Sequence, residues 1–532
     1  MVKNAEPNPP LKAGRRLFDM ASSEGINDSE RILAALCRKS FLRLWSQTNV
    51  FTDEGFKDGK GSTRELCDAL VIFGNDVIVF SDKHITFQAD KDLSLSWPRW
   101  YRRAVLESCK QLHGAKSWLQ RFPNRIYLDA KCTRSLPVPV PANSTVRFHL
   151  VAVTRGSREA ALAYYGGNGS GSFWLNSAIE GNEHLQKPFA IGFPEPDKHF
   201  VHVFDEVSIE LLLGELDTAA DLLDYLKKRE ALLGRRGTQV AAYGEEELLA
   251  AYLQTMTPDG SEHVFFNAPV NEGLPDAIFF DEGFYRALND DPGYERKKLA
   301  DGVSYEWDKL VDRFLEYGDP DIHERYVDQS AAETEQGLRL MAAEPRFRRR
   351  QLAGAFIGAL ERVGPGERLG RLVYGGVSGE TVYVFVVVSK RRDESYDEYR
   401  QYRLAVLHAY VQTARLKAPL GTTFVGIAFD NPHKDYQGSS EDLFVLSKET
   451  WIADELAELE VQRRELGLWG AAMEYRQYRQ DEFPQANQRA PFQRVPAAAN
   501  EVAKQRQEER KKAVKRLRKI QKASKRRNRG KN

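Results

Sequence analysis

The clearest pattern in this 532-residue chain is a pair of short apolar runs between Glu65 and Lys83, E-L-C-D-A-L-V-I-F-G-N-D-V-I-V-F-S-D-K. Both runs are rich in β-branched residues, and Gly74, Asn75 and Asp76 separate them, which predicts a two-stranded hairpin. Polar residues stand at the strand ends. Glu65 and Asp68 open the first strand, and Ser81, Asp82 and Lys83 close the second. Upstream, Leu33, Leu36, Cys37, Phe41, Leu44 and Trp45 recur at helical spacing. They predict an amphipathic helix that starts near Glu30, with Asn27 or Asp28 as its cap. Residues 52–63 read as a polar, glycine-rich loop, and His84 to Phe87 extends the hairpin's second strand or adds a third. After Pro98 a long helix is predicted, with Ala104, Ser108, Gln111 and Ala115 along one line of small and polar side chains.

Further on, Val146 to Val153 and Phe200 to Phe204 read as strands, Gly166 to Ser172 as a flexible loop, and Leu211 to Leu226 as one helix or two. Residues 240–350 read as mostly helical. From Leu372 a second α/β unit is predicted, with strands at Val382–Val388, Thr423–Phe429 and Leu443–Leu446 and helices at Tyr396–Lys417 and Ile452–Leu466. Val388-Ser389-Lys390 echoes Phe80 to Lys83 but has no matched acid upstream, so it reads as structural. The expected division is a disordered 1–23, a first domain over 24–235, a helical region over 240–365, an α/β module over 366–470, and a linker with a basic disordered or helical tail over 471–532. The expected class is mixed α/β.

Composition narrows the function. Cys37, Cys67, Cys109 and Cys132 are scattered with no C-x-x-C pair, which argues against a zinc ribbon or a disulfide framework and for a reducing cytoplasm. No apolar run approaches the ~20 residues that span a bilayer, so no membrane partner is expected. The net charge of +1 conceals an asymmetry: residues 501–532 carry 15 Lys and Arg against 3 Glu, a net of +12, which leaves −11 on residues 1–500. Lys511, Lys512, Lys515, Arg516, Arg518, Lys519, Lys525, Arg526 and Arg527 concentrate that charge and suit the phosphates of a nucleic acid.

Glu30, Asp68, Lys83 and Gln111 are the candidate catalytic residues. Hydrolysis of a phosphodiester needs a hard divalent cation held by carboxylates, an activated water, and a cation to offset developing charge. Asp68 suits the metal, with Glu30 as a second ligand or water-orienting group, and Lys83 suits the nucleophile and the charge. His199 and His202, with Asp205 near, face opposite sides of a predicted strand, so that trio is not expected to hold a metal.

The order helix Glu30, strand Cys67-Asp68, Ser81-Asp82-Lys83, helix Gln111 resembles the PD-(D/E)XK nuclease superfamily, in particular its Mrr-like, restriction-endonuclease-like branch. The resemblance covers residues 24–125 and, more loosely, extends to Tyr225. It implies a restriction-endonuclease-like mixed sheet flanked by helices, followed by a helical plus α/β C-terminal region. It also implies Mg²⁺ or Mn²⁺ dependence and endonucleolytic cleavage of DNA ahead of RNA. Restriction, repair or anti-phage defence is the implied setting, with a homo-oligomer or a defence-complex partner. The sequence departs from the motif at Ser81, where the family has an acid. Either Asp82 reaches the site through a bulge, or Glu65 replaces the acid, or the domain is an inactive nuclease fold that serves as a nucleic-acid-binding or scaffold module.

Overall fold

The computed structural model describes Phe18 and residues 28–55, 62–142, 144–167, 169–235, 237–267, 275–317, 329–375, 379–436, 439–470 and 480–484. The basic tail, including Lys511 to Arg527, lies outside the described residues, as does the N-terminal segment apart from Phe18.

The chain opens with helix α1 (Asp28–Trp45) and a three-strand meander, β1 (Ser46–Thr52), β2 (Arg64–Phe73) and β3 (Asp76–His84). Helices α2 (Leu93–Tyr101) and α3 (Glu107–Arg121) follow, joined by a π-turn at Arg102–Leu106. Next come β4 (Ile126–Tyr127), β5 (Arg147–Arg155), α4 (Arg158–Tyr164), β6 (Trp174–Glu180), β7 (Ala190–Phe193) and β8 (Val201–Asp205). Then follow α5 (Glu206–Glu215), α6 (Ala219–Leu233), β9 (Gln239–Ala242), α7 (Glu245–Gln254) and β10 (Ala277–Phe280). A helical stretch holds α8 (Phe284–Asp290), α9 (Pro292–Asp301), α10 (Tyr305–Tyr317), α11 (Ala331–Ala342) and α12 (Arg346–Arg362). The last unit is β11 (Leu369–Gly375), β12 (Thr381–Val388), α13 (Tyr396–Ala414), β13 (Thr423–Asp430), β14 (Glu441–Ser447) and α14 (Ala453–Glu465).

The first sheet has the order β4-β1-β2-β3-β5-β8. β1, β2 and β3 are antiparallel, and β3, β5 and β8 run parallel. The tight turn at Gly74-Asn75 sets the hairpin register, with Phe73 opposite Asp76; Gly74 takes φ +61°, which a side chain at that position would disfavour. Strict alternation divides the buried residues. Ile78 and Phe80 pack on the α1, α5 and α6 side, and Val77 and Val79 on the α2 and α3 side. The class is mixed α/β, as the patterning predicts.

Three features differ from the expectation. β1 goes unseen in the sequence because S-Q-T-N-V-F-T is polar, yet it is nearly all buried between β2 and β4. The long helix starts at Leu93 and runs through Pro98, and the π-turn then adds a residue to its phase before Gln111. The stretch from 240 contains β9 and β10, and β9 pairs with β6 across the boundary expected near residue 235. One continuous core runs from α1 and the first sheet through α5–α12 to Tyr383, Phe385, Ile427 and Val445 of the third sheet. Ion pairs reinforce it: Asp217 takes Lys39 of α1 at 2.6 Å and Arg346 of α12 at 2.9 Å. The expected loop at Gly166–Ser172 is tied down as well, since Ser170 and Ser172 donate to Glu246 of α7.

Candidate active site at the strand ends

The sheet positions the candidate residues before any side-chain chemistry is considered. β3, β5 and β8 run parallel, so their C-terminal ends share one edge, and antiparallel β2 brings its N-terminal end to the same edge. Ligand sites of open α/β sheets gather at such carboxyl ends. β2 and β3 pair only as far as Ala69 opposite Phe80, whereas β3 stays paired with β5 to His84 opposite Arg155. The two hairpin strands therefore part at the site. Across the gap, the Asp82 backbone N–H donates to Asp68 Oδ2 at 2.7 Å.

Asp68 is half-buried, and its pKa is pushed up to about 7. Burial is the main cause. The Asp82 N–H opposes it, and the charges of Glu65, Asp82 and Glu30 add to it. Glu65, on the exposed start of β2, is raised too, by partial desolvation and by Glu30, while Lys83 pulls it down. Glu30, in the first turn of α1, thus acts electrostatically on both acids of β2, and Lys83 acts on Glu65. Among the described residues no lysine or arginine forms an ion pair with Asp68.

The two faces of β3 sort the remaining candidates. Ser81 faces α3, where its hydroxyl donates to Gln111 Oε1 at 3.2 Å and lies 3.4 Å from Ser108 Oγ. Gln111 therefore meets Ser81, in the position where the motif has an acid. Asp82 faces the other way. Its side chain is fully buried, and both carboxylate oxygens accept from Arg155 Nε at 3.1 Å. Burial raises the Asp82 pKa in spite of Arg155. Its charge also reaches Cys37 of α1, whose thiol burial and Asp82 push up to about 12. Both replacement acids feel Glu30 and act on Asp68, but Asp82 is ion-paired with Arg155, whereas Glu65 feels the charge of Lys83.

Arg155 is the residue that the sequence reading missed. It ends β5 opposite His84, bonds Asp82 and Glu210, and keeps a buried Nη2 without a hydrogen-bond partner. Its only signal in the sequence was a basic residue ending an apolar strand. Three carboxylates, two of them with pKa values raised by burial and like charge, and a lysine that acts on Glu65 make a donor set suited to a hard divalent cation. No family model, curated protein or solved structure matches the chain.

Proposed function

We propose that the chain is a Mg²⁺- or Mn²⁺-dependent nuclease that cleaves DNA, built on a restriction-endonuclease-like core. The observation that carries this reading is the electrostatic influence of Glu30 on both Glu65 and Asp68, and of Lys83 on Glu65, at the edge where β2 and β3 part. The order α1-β1-β2-β3-α3-β5, with an antiparallel meander and a parallel β5, supports the core. Asp68, Glu65 and Glu30 fit a magnesium-class ion, being oxygen donors of which Asp68 and Glu65 are raised by the like charges around them. Such an ion would polarise a phosphoryl oxygen and lower the pKa of a bound water. Lys83 orients the attacking water and offsets charge on the phosphoryl group. Arg155 pairs with Asp82 and so ties the ends of β5 and β3 together. Glu65 is the favoured replacement for the acid absent at Ser81.

The test is cleavage of supercoiled and linear DNA by purified protein with Mg²⁺ or Mn²⁺. Asp68→Ala and Lys83→Ala should each reduce the rate at least about 10³-fold, roughly 4 kcal/mol of barrier, with folding unchanged by circular dichroism. Failure of the wild type to cut DNA or RNA with either metal would sink the enzymatic reading. A second reading has its own support, because the Ser81 hydroxyl is occupied by Gln111 rather than by a metal-binding acid. As a nucleic-acid-binding or scaffold module, the protein would bind DNA equally well as Asp68→Ala and lose affinity when residues 504–532 are deleted.

A further inference from the structure

The opposite end of the first sheet gathers a different set of donors. His149 stands near the start of β5 and His202 near the start of β8, and these strands are parallel neighbours. Glu230 lies in the last turn of α6, which packs over the same face. One ligand atom from each of the three lies within 4.8 Å of the other two, a grouping found nowhere else among the described residues. At about 3.3 Å per strand residue, the six residues from His149 to Arg155 separate this cluster from the carboxylate edge by about 20 Å.

We propose that His149, His202 and Glu230 bind a divalent transition metal of the zinc class. The first support is two buried nitrogens left over. His149 is 3% exposed and His202 0%, and neither His149 Nδ1 nor His202 Nε2 has a hydrogen-bond partner. Buried polar atoms are rarely left unpaired without a reason. The second support is the donor chemistry, since two imidazoles and a carboxylate select zinc-class ions over magnesium. The third is the surrounding shell. The other nitrogen of His149, Nε2, lies 2.9 Å from Asp76 Oδ1, the carboxylate–imidazole arrangement that orients metal-binding histidines. Asp76 is itself fixed by Lys227 at 2.9 Å and Arg147 at 3.1 Å.

Two adjustments accompany binding. Tetrahedral donors about 2.1 Å from an ion sit about 3.4 Å apart, so the three atoms close by up to about 1.4 Å. Glu230 is half-buried, which gives the ion a route from solvent and the carboxylate room to swing inward. Arg229 Nη1 lies 3.3 Å from His202 Nδ1. A metal on Nε2 places the proton on Nδ1, so this contact is released. Glu245, at 2.7 and 2.9 Å, keeps the Arg229 charge paired. With both histidines buried, the ion would clamp β5 and β8 to α6. This proposal stands independently of the nuclease reading.

The experiment titrates EDTA-stripped, full-length protein with Zn²⁺ against a chromogenic chelator, and with Co²⁺ by visible absorption. The background is the double variant Glu65→Gln/Asp68→Asn, which silences the carboxylate edge. The expected result is one equivalent bound, with Co²⁺ bands of a low-symmetry nitrogen–oxygen site. Glu230→Gln and Asp76→Asn should each weaken Zn²⁺ by about 10- to 100-fold, and His202→Gln by more. Zn²⁺ should raise the melting temperature of the background protein and leave that of His202→Gln unmoved. Glu230→Gln alters a half-exposed side chain and so keeps the test open should the histidine variant fail to fold. Absence of a bound equivalent, or Zn²⁺ affinity unchanged in both Glu230→Gln and Asp76→Asn, would overturn the proposal.

Discussion

The first and third sheets repeat one arrangement with opposite charge outcomes. In each, an antiparallel hairpin leads through a helix to a strand parallel with the hairpin's second strand: β2–β3, α3 and β5 in one, β11–β12, α13 and β13 in the other. A lysine stands at each hairpin's far end, Lys83 within β3 and Lys390 two residues past the end of β12. Each edge collects carboxylates. In the third sheet they are neutralised. Arg403, 0% exposed, bonds both Asp430 and Asp442, Lys434 adds to Asp430 at 3.0 Å, and Arg400 adds to Asp442 at 3.1 Å. The guanidinium is held above its ordinary pKa by those aspartates against the cost of burial. In the first sheet Asp68 has a backbone N–H and like-charged neighbours instead. A closed ion-pair network marks a structural edge. Asp68, outside the ion pairs that Arg155 makes with Asp82 and Glu210, marks a place on the first edge that gains from a cation.

The largest effect should come from opening the closed edge. Arg403→Ala leaves Asp430 and Asp442 buried without their shared partner, and breaking a buried pair in this way costs about 3–5 kcal/mol. Urea denaturation should show the midpoint falling by that equivalent while cleavage per folded molecule stays unchanged. A midpoint within error of wild type would mean that the network is not structural.

Asp68→Asn should have the opposite sign. The folded pKa of Asp68 is about 7 against 3.8 unfolded. The folded state therefore binds the extra proton, and its contribution is full below about pH 4 and lost as pH rises through 7. Metal-free wild type should lose stability across that window. The asparagine variant should lose less and be the more stable protein at pH 8, on the order of 2 kcal/mol after discounting for partial exposure. Chemical denaturation in EDTA at pH 4.5, 6 and 8 checks this. Parallel curves for the two proteins would show that Asp68 is not strained by its neighbours.

How far the sequence revealed these edges follows from which forces were local. The hairpin and the third-sheet strands were legible because runs such as Val382–Val388 are buried on both faces and leave few alternatives. β1 was not legible, since its burial comes from partners at β2 and β4 and not from its own polar residues. β9 and β10 are four residues each, too short to show a period. At the site, Asp68, Lys83 and the turn of Asp82 to the face opposite Ser81 could be read from strand ends and alternation. Arg155 could not, because parallel pairing brings it from far along the chain. His149, His202 and Glu230 come from three elements with no shared local pattern, and His202, read beside His199, belongs instead with His149.

The smallest effect sharpens the comparison most, because it tests whether the acids of the first edge act on one another. Glu65 is among the charges that raise Asp68, and it is itself pulled down by Lys83. Glu65→Gln removes one like charge and leaves burial intact. The pH midpoint of the Asp68-linked stability loss should then move downward by less than about one unit, worth under about 1 kcal/mol. The same variant should bind Mg²⁺ more weakly, because a ligand is lost while Asp68 becomes easier to ionise. A lower midpoint together with weaker Mg²⁺ places Glu65 in the shared site as the acid that Ser81 lacks. A midpoint that stays or rises would remove Glu65 from the cluster and leave Asp68 with Glu30 alone.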